Sequence, residues 1–275
     1  MSYVPPPDEK PEITDEVESS RAPLLDHLNE LRSRLIRALL ALAVAAIGCF
    51  YFAGDIYLLL IRPFAAIAED IRGAPLEFIF TAPMEFFFAK LKIAVFAGLF
   101  VAFPVIAWQV YAFVAPGLYK TERGAFWPYL MLAPLLFALG AAFVYFVMLP
   151  MLARFTVSME QIEAAGTTIR LLPKVADYLA LVMALMLAFG LSFQLPLVLT
   201  LLGRLGIVSA SMLGKGRKYA IVGILAFAAI FTPPDPMSQI LLAVPVYLLY
   251  EISILCVRLI EKRAAAEDAA TAATN

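Results

Sequence analysis

Charge is scarce in this chain. Of its 275 residues only 16% are Asp, Glu, Lys or Arg, where a soluble domain carries about a quarter. No charged residue lies between Lys92 and Lys120, and none between Arg123 and Arg154. A net charge of −1 leaves no basic field for nucleic acid. Histidine and cysteine are scarce as well. The two cysteines, Cys49 and Cys256, lie inside apolar runs and read as packing residues, so no disulfide framework or metal site is expected.

Catalytic motifs are also missing. There is no Gly-x4-Gly-Lys-Ser/Thr loop, and Gly214-Lys215-Gly216 lacks both the upstream glycine spacing and the hydroxyl, which argues against nucleotide hydrolysis. There is no His-Glu-x-x-His and no Gly-x-Ser-x-Gly. The single histidine, His27, precedes the first apolar run and cannot run a serine/histidine site inside a membrane. Asp55 and Asp235 fall near the ends of apolar runs rather than paired in their middles, unlike an aspartyl protease. The chain reads as a non-enzyme with no cofactor.

What is abundant is apolar surface. Hydrophobic residues make up 63% and mean hydropathy is +0.86, too much for a water-soluble core to hide. A spanning helix needs about 20 apolar residues to cross about 30 Å of hydrocarbon. The charge-poor gaps give six spans, at about 36–60, 86–111, 127–150, 178–202, 219–234 and 236–257. The last two are short and need local thinning of the bilayer or shelter by neighbours. Pro104, Pro134, Pro196 and Pro245 fall inside spans and bend them. The fold class is therefore an all-α integral membrane protein, a bent six-helix bundle over 23–262. Tails at 1–22 and 263–275 are expected to be disordered.

Six spans put both termini on one side. Lys and Arg number 14 on that side and 7 on the other, so the termini should be cytoplasmic. No cleavable signal is apparent at the acidic, Pro-rich start. The loop Asp55–Glu85 mixes apolar and charged residues, as short interfacial helices do.

A few polar residues stand out. Glu30 and Arg34 lie i,i+4 on an amphipathic lead-in whose Leu28, Leu31 and Leu35 share a face; spacing alone favours a solvated ion pair. Glu122 sits between Thr121 and Arg123, and by itself is an ordinary loop charge. Gln194 lies within a span and must find a partner helix or water. Glu251 lies shallow in the last span, placed to snorkel or to pair with a base.

Separate segments then agree on one family. His27-Leu-x-Glu-Leu-Arg32, Ala112-Phe-x-Ala-Pro-x-Leu-Tyr-Lys-x-Glu-Arg123, Phe143–Pro150, Asp177–Pro196 and Thr232-Pro-Pro-Asp-x-x-Ser-Gln239 occur in the order of TatC, which the sequence resembles. TatC is the multispanning core of the twin-arginine protein translocase. The resemblance implies recognition of signal peptides that carry an arginine pair on folded cargo. It assigns Glu30 and Glu122 to face those arginines, with Phe113, Pro116 and Arg32 shaping the site. It assigns Pro63, Asp235 and Gln239 to function or assembly at the other side. Several relatives carry Glu where this chain has Gln194, an amide that cannot ionise. The implied partners are single-span TatA- and TatB-like proteins, other copies of the chain, and lipid; the implied energy source is the proton gradient. The implied location is a bacterial inner membrane. A small-solute transporter would instead show broken, charged mid-membrane segments in inverted repeats, which are not found.

Overall fold

The computed structural model describes residues 13–114, 127–159, 172–232 and 236–274. Glu122, Pro116 and Asp235 lie outside them. Among the described residues there are no strands, and nine α-helices carry the chain. They are α1 (Ile13–Tyr51), α2 (Ala53–Arg72), α3 (Glu85–Val114), α4 (Trp127–Phe143), α5 (Leu149–Ser158), α6 (Val175–Ser192), α7 (Leu195–Arg204), α8 (Ala210–Phe231) and α9 (Pro236–Thr274). A π-helical turn at Val144–Met148 joins α4 to α5.

Among the described residues, five helical segments are long and apolar enough to cross a membrane: Leu28–Tyr51, Glu85–Phe113, Tyr129–Ser158, Val175–Arg204 and Ser238–Ala266. The remaining expected span falls on α8. Lys215, Arg217 and Lys218 occupy its first half, so its uninterrupted apolar stretch is Tyr219–Phe231. That stretch rises about 20 Å, short of the hydrocarbon thickness. α9 covers for it. α8 runs antiparallel to α9 and is tied to it along its length: Ala210 N–H donates to Glu261 Oε1 at 2.9 Å, Tyr250 OH to Leu213 O at 2.8 Å, and Gln239 Nε2 to Leu225 O at 3.1 Å.

Three boundaries differ from expectation. The first span ends at Tyr51, not near residue 60, and the chain turns at Phe52 into α2. Asp55 enters the first turn of α2, where a carboxylate is favoured. α2 buries Ala53, Leu60, Phe64 and Ala68, a single stripe, against α5 and its neighbours. Helix also reaches into both segments expected to be disordered, since α1 starts at Ile13 and α9 runs to Thr274. The last stretch is rich in Ala, a strong helix former that continues a helix already nucleated.

Prolines leave carbonyls to be satisfied. Pro63 has no N–H for the carbonyl of Leu59, and Tyr145 OH donates to that oxygen at 3.1 Å from the π-helical turn. Tyr178 OH donates to the adjacent Leu60 O at 3.0 Å. Tyr178 also closes an aromatic trio with Phe64 and Phe78, at centroid distances of 5.1 and 5.3 Å. A parallel bridge between Ile79 and Lys174 sews the loop after α2 to the start of α6.

Small residues set the closest crossings, as expected where lipid supplies no drive for helix association. A Cβ on Gly140 would lie 2.6 Å from Phe189 O, so α4 and α6 meet backbone to backbone. A Cβ on Gly98 would lie 2.7 Å from Ala46 Cα, so α1 and α3 do the same. The main core gathers α2, α3, the π-turn, α5, α6, α8 and α9, with Val182, Leu179, Phe189 and Leu242 fully enclosed.

Candidate functional site

α1 and α3 run antiparallel. Ala46 meets Gly98, and Phe50 meets Phe87 with ring centroids 6.4 Å apart. Both helices rise about 1.5 Å per residue. Following α1 back from Ala46 to Glu30 therefore follows α3 forward from Gly98 to its last turn. Glu30 stands level with the end of α3, which includes Phe113; Glu122 follows in sequence, outside the described residues.

That end of α3 is firmly packed. Ala107 of α3, Ala133 of α4 and Leu197 of α7 form a small second core, closed by Phe103, Tyr111, Tyr129 and Leu136. Phe103 and Phe137 stack at 3.9 Å between α3 and α4. Gln194 sits at the break between α6 and α7, two residues before Pro196, and its Nε2 donates to Ala133 O at 2.9 Å. The amide inside the membrane is thus used as a tie from α7 to α4. Pro196 frees the carbonyl of Ser192, but the side chain of Gln194 reaches across to another helix instead.

Glu30 and Arg34 form the i,i+4 pair that spacing suggested. Arg34 Nε lies 3.0 Å and Nη2 2.5 Å from Glu30, and both converge on Oε1. Both residues are half-buried, whereas Arg32 is exposed. Phe113 is half-buried on α3.

Glu251 is engaged in a different way. Arg217 of α8 grips it with Nε to Oε1 at 2.7 Å and Nη2 to Oε2 at 2.8 Å. Tyr247 OH adds a bond to Oε1 at 2.8 Å. This is the two-pronged geometry that guanidinium makes with carboxylate. Glu251 therefore locks α8 to α9, and the base it pairs with lies 34 residues away. Gln239 lies at the opposite end of the same helix pair, and Pro63 lies on α2 at that end too. The structure does not bring Pro63, Gln239 or Gln194 to Glu30; they occupy other levels of the bundle.

Sequence reasoning passed over four polar residues that hold the fold. Arg217, Tyr145 and Tyr178 act on partners distant in sequence, which no local spacing reveals. Glu85 carried a local signal, an acid in the first turn of a helix. Its Oε2 accepts from Thr81 N–H at 2.7 Å and Ala82 N–H at 3.2 Å, closing the turn before α3.

No group of His, Cys, Asp and Glu suited to a metal ion occurs among the described residues. Membrane-length helices, with polar groups spent on ties between helices and Glu30 at one end, define a multi-pass helical membrane protein. A family model described as Sec-independent protein translocase protein (TatC) matches residues 26–245. A Sec-independent protein translocase protein TatC from Magnetococcus marinus is 42% identical, covering 91% of this chain and 89% of its own. The corresponding protein of Escherichia coli is 40% identical over 84% of this chain and 86% of its own. A crystal structure of the twin-arginine translocase receptor TatC superposes with a TM-score of 0.75 at 36% identity, covering 86% of this chain and 99% of that one. The chain belongs to the TatC family, and is a component of the Sec-independent, twin-arginine protein translocase.

Proposed function

We propose that this chain is the signal-peptide receptor at the core of its translocase, and that Glu30 and Glu122 read the two arginines of the signal. The observation that carries this reading is the antiparallel pairing of α1 with α3. It supports placing Glu30 beside the root of the loop that holds Glu122. Phe113, Pro116 and Arg32 would shape the same surface. The Glu30 end would then face the cytoplasm, with both termini, as the excess of Lys and Arg there favours.

A guanidinium offers two parallel N–H donors to a carboxylate, which lysine cannot reproduce. In the resting chain Arg34 bonds only Glu30 Oε1, so Oε2 is the oxygen an incoming arginine would engage. The gain is small. Exposed pairs contribute about 0.2–1 kcal/mol, while micromolar binding requires roughly 8 kcal/mol. The apolar part of the signal must supply the rest, packed against the lipid-facing surface of the bundle. Glu30 and Glu122 then supply register and choice of ligand.

A bundle of this size encloses no passage for folded cargo. TatA- and TatB-like single-span partners and further copies of the chain would complete the machine, with Pro63, Asp235 and Gln239 serving assembly. With no nucleotide motif in the sequence, the proton gradient is the proposed energy source. In a strain lacking its own copy, this chain should restore export of a folded protein bearing an Arg-Arg signal. Glu122→Ala should lower that export severalfold, and weaken its preference for Arg-Arg over Lys-Lys signals, while the variant remains in the membrane. Normal export by both Glu122→Ala and Glu30→Ala would refute the reading.

A further inference from the structure

The α2 end of the bundle contains a groove that these roles leave unused. α3 carries three charges in 30 residues: Glu85, Lys90 and Lys92. Glu85, Phe88, Ala89 and Lys92 recur at i, i+3, i+4 and i+7 and share one face. That face looks across a trough of about 390 Å³ at Ala176, Leu179 and Met183 of α6. Ala89 and Leu179 are buried in its floor. Two alanines, Ala89 and Ala176, keep the trough open where larger side chains would close it. Its walls are almost wholly apolar.

The charges here are unequally satisfied. Glu85 is engaged by the Thr81 and Ala82 amides and, at 3.4 Å, by Ala176 N–H. Lys90 Nζ lies over the Phe86 ring, 5.1 Å from its centroid. Lys92 is exposed, and it has no hydrogen bond, ion pair or ring contact among the described residues. It stands seven residues into the helix from Glu85, roughly 10 Å along the axis. A lysine at that depth extends its stem toward the interface, where an anionic headgroup can pair with it.

We propose that the α3–α6 groove binds one anionic phospholipid, with the phosphate on Lys92 and an acyl chain along Phe88, Leu179 and Met183. The pairing of a single cation with a long apolar wall selects this ligand. A free phosphate would leave the wall uncovered, and a zwitterionic lipid brings its own cation to compete with Lys92. Bound there, the lipid would fill the trough between the two helices.

The full chain, purified in mild detergent and stripped of lipid, is titrated with phosphatidylglycerol or phosphatidylcholine. Native mass spectrometry counts the first lipid bound. The unaltered chain should prefer phosphatidylglycerol roughly fivefold, the weight of one cation near a membrane surface. Lys92→Gln should lose that preference and Lys92→Arg should keep it. Ala176→Leu, which fills the trough, should weaken both lipids, and millimolar glycerol phosphate should displace neither. The proposal is overturned if Lys92→Gln retains the preference, if glycerol phosphate displaces the lipid, or if Ala176→Leu binds both lipids unchanged. Photo-crosslinking from position 88 in membranes should capture lipid; capture of a protein helix in its place would also overturn it.

Discussion

The α2 region and the helix α1 are held in different ways. At the α2 end, tyrosine hydroxyls clasp the carbonyls of Leu59 and Leu60, a bridge joins Ile79 to Lys174, and Phe64, Phe78 and Tyr178 pack as a unit. α1, the helix that carries Glu30, projects along its length with one helix beside it. Its apolar stretch has no buried residue, and Val44 and Ile47 are more than two-thirds exposed. The slightly more apolar stretch Val175–Arg204 buries Leu179, Val182, Leu185, Ala188 and Phe189 almost completely. Hydropathy is thus no guide to where the core lies. α6 is at the centre because small residues and hydroxyls let neighbours close on it, whereas α1 meets only α3 closely and leaves the rest of its surface to lipid or to a ligand. A fixed bundle and an uncovered helix suit a receptor that must take up an apolar helix without losing its own fold.

The contrast can be broken most severely at the α4–α6 crossing. Gly140→Leu would drive a side chain into the backbone at Phe189, and repacking cannot relieve a backbone clash. The variant should be lost from the membrane or fail to survive detergent extraction, as read by fluorescence-detected size exclusion. Next in size is Glu251→Ala. It removes the anchor of Arg217 and one bond of Tyr247, and should cost on the order of 1 kcal/mol, discounted because both partners are partly exposed. Thermal unfolding in detergent measures that loss, and Arg217→Ala combined with it should add little.

Effects of equal or smaller size sharpen the contrast. Tyr178→Phe removes the donor to Leu60 O and should lower stability by about 1 kcal/mol. Hydrogen exchange should then rise in α2 and leave α1 unchanged. Gln194→Leu removes one interhelical bond, typically about 0.6 kcal/mol in membranes. Export by that variant should persist at a reduced level, because the role of Gln194 is to hold α7 on α4. Glu30→Ala should change stability by only a few tenths of a kcal/mol, the scale of an i,i+4 pair.

Much of the architecture was legible in the sequence, for a simple reason. The bilayer forbids charge, so charge-poor gaps mark the long helices around Ala46, Gly98, Pro134 and Leu185. Charge is a poorer guide where it marks a turn rather than a loop. Asp55 was absorbed into the first span, although it begins α2. α8 was visible as a short gap, but the ties that shelter it were not, because Glu261, Tyr250 and Gln239 lie far along the chain from their partners. Pro63 was recognisable as a residue with something to do. That the freed carbonyl of Leu59 belongs to Tyr145, 86 residues on, required the fold. At the Glu30 end, the ion pair with Arg34 was readable from spacing. The level of Glu30 against α3 followed only from the meeting of Ala46 with Gly98.

The division of labour between the α2 region and the Glu30 end is tested most directly by signal-peptide photo-crosslinking. Matched peptides carrying Arg-Arg or Lys-Lys are compared on the unaltered chain, on Glu30→Ala with Glu122→Ala, and on Tyr178→Phe. The Arg-Arg preference should collapse toward unity in the double variant, with substantial crosslinking of both peptides remaining through apolar contacts, and should be intact in Tyr178→Phe. An undiminished Arg-Arg preference in the double variant, or its loss in Tyr178→Phe alone, would contradict the assignment of recognition to the Glu30 end.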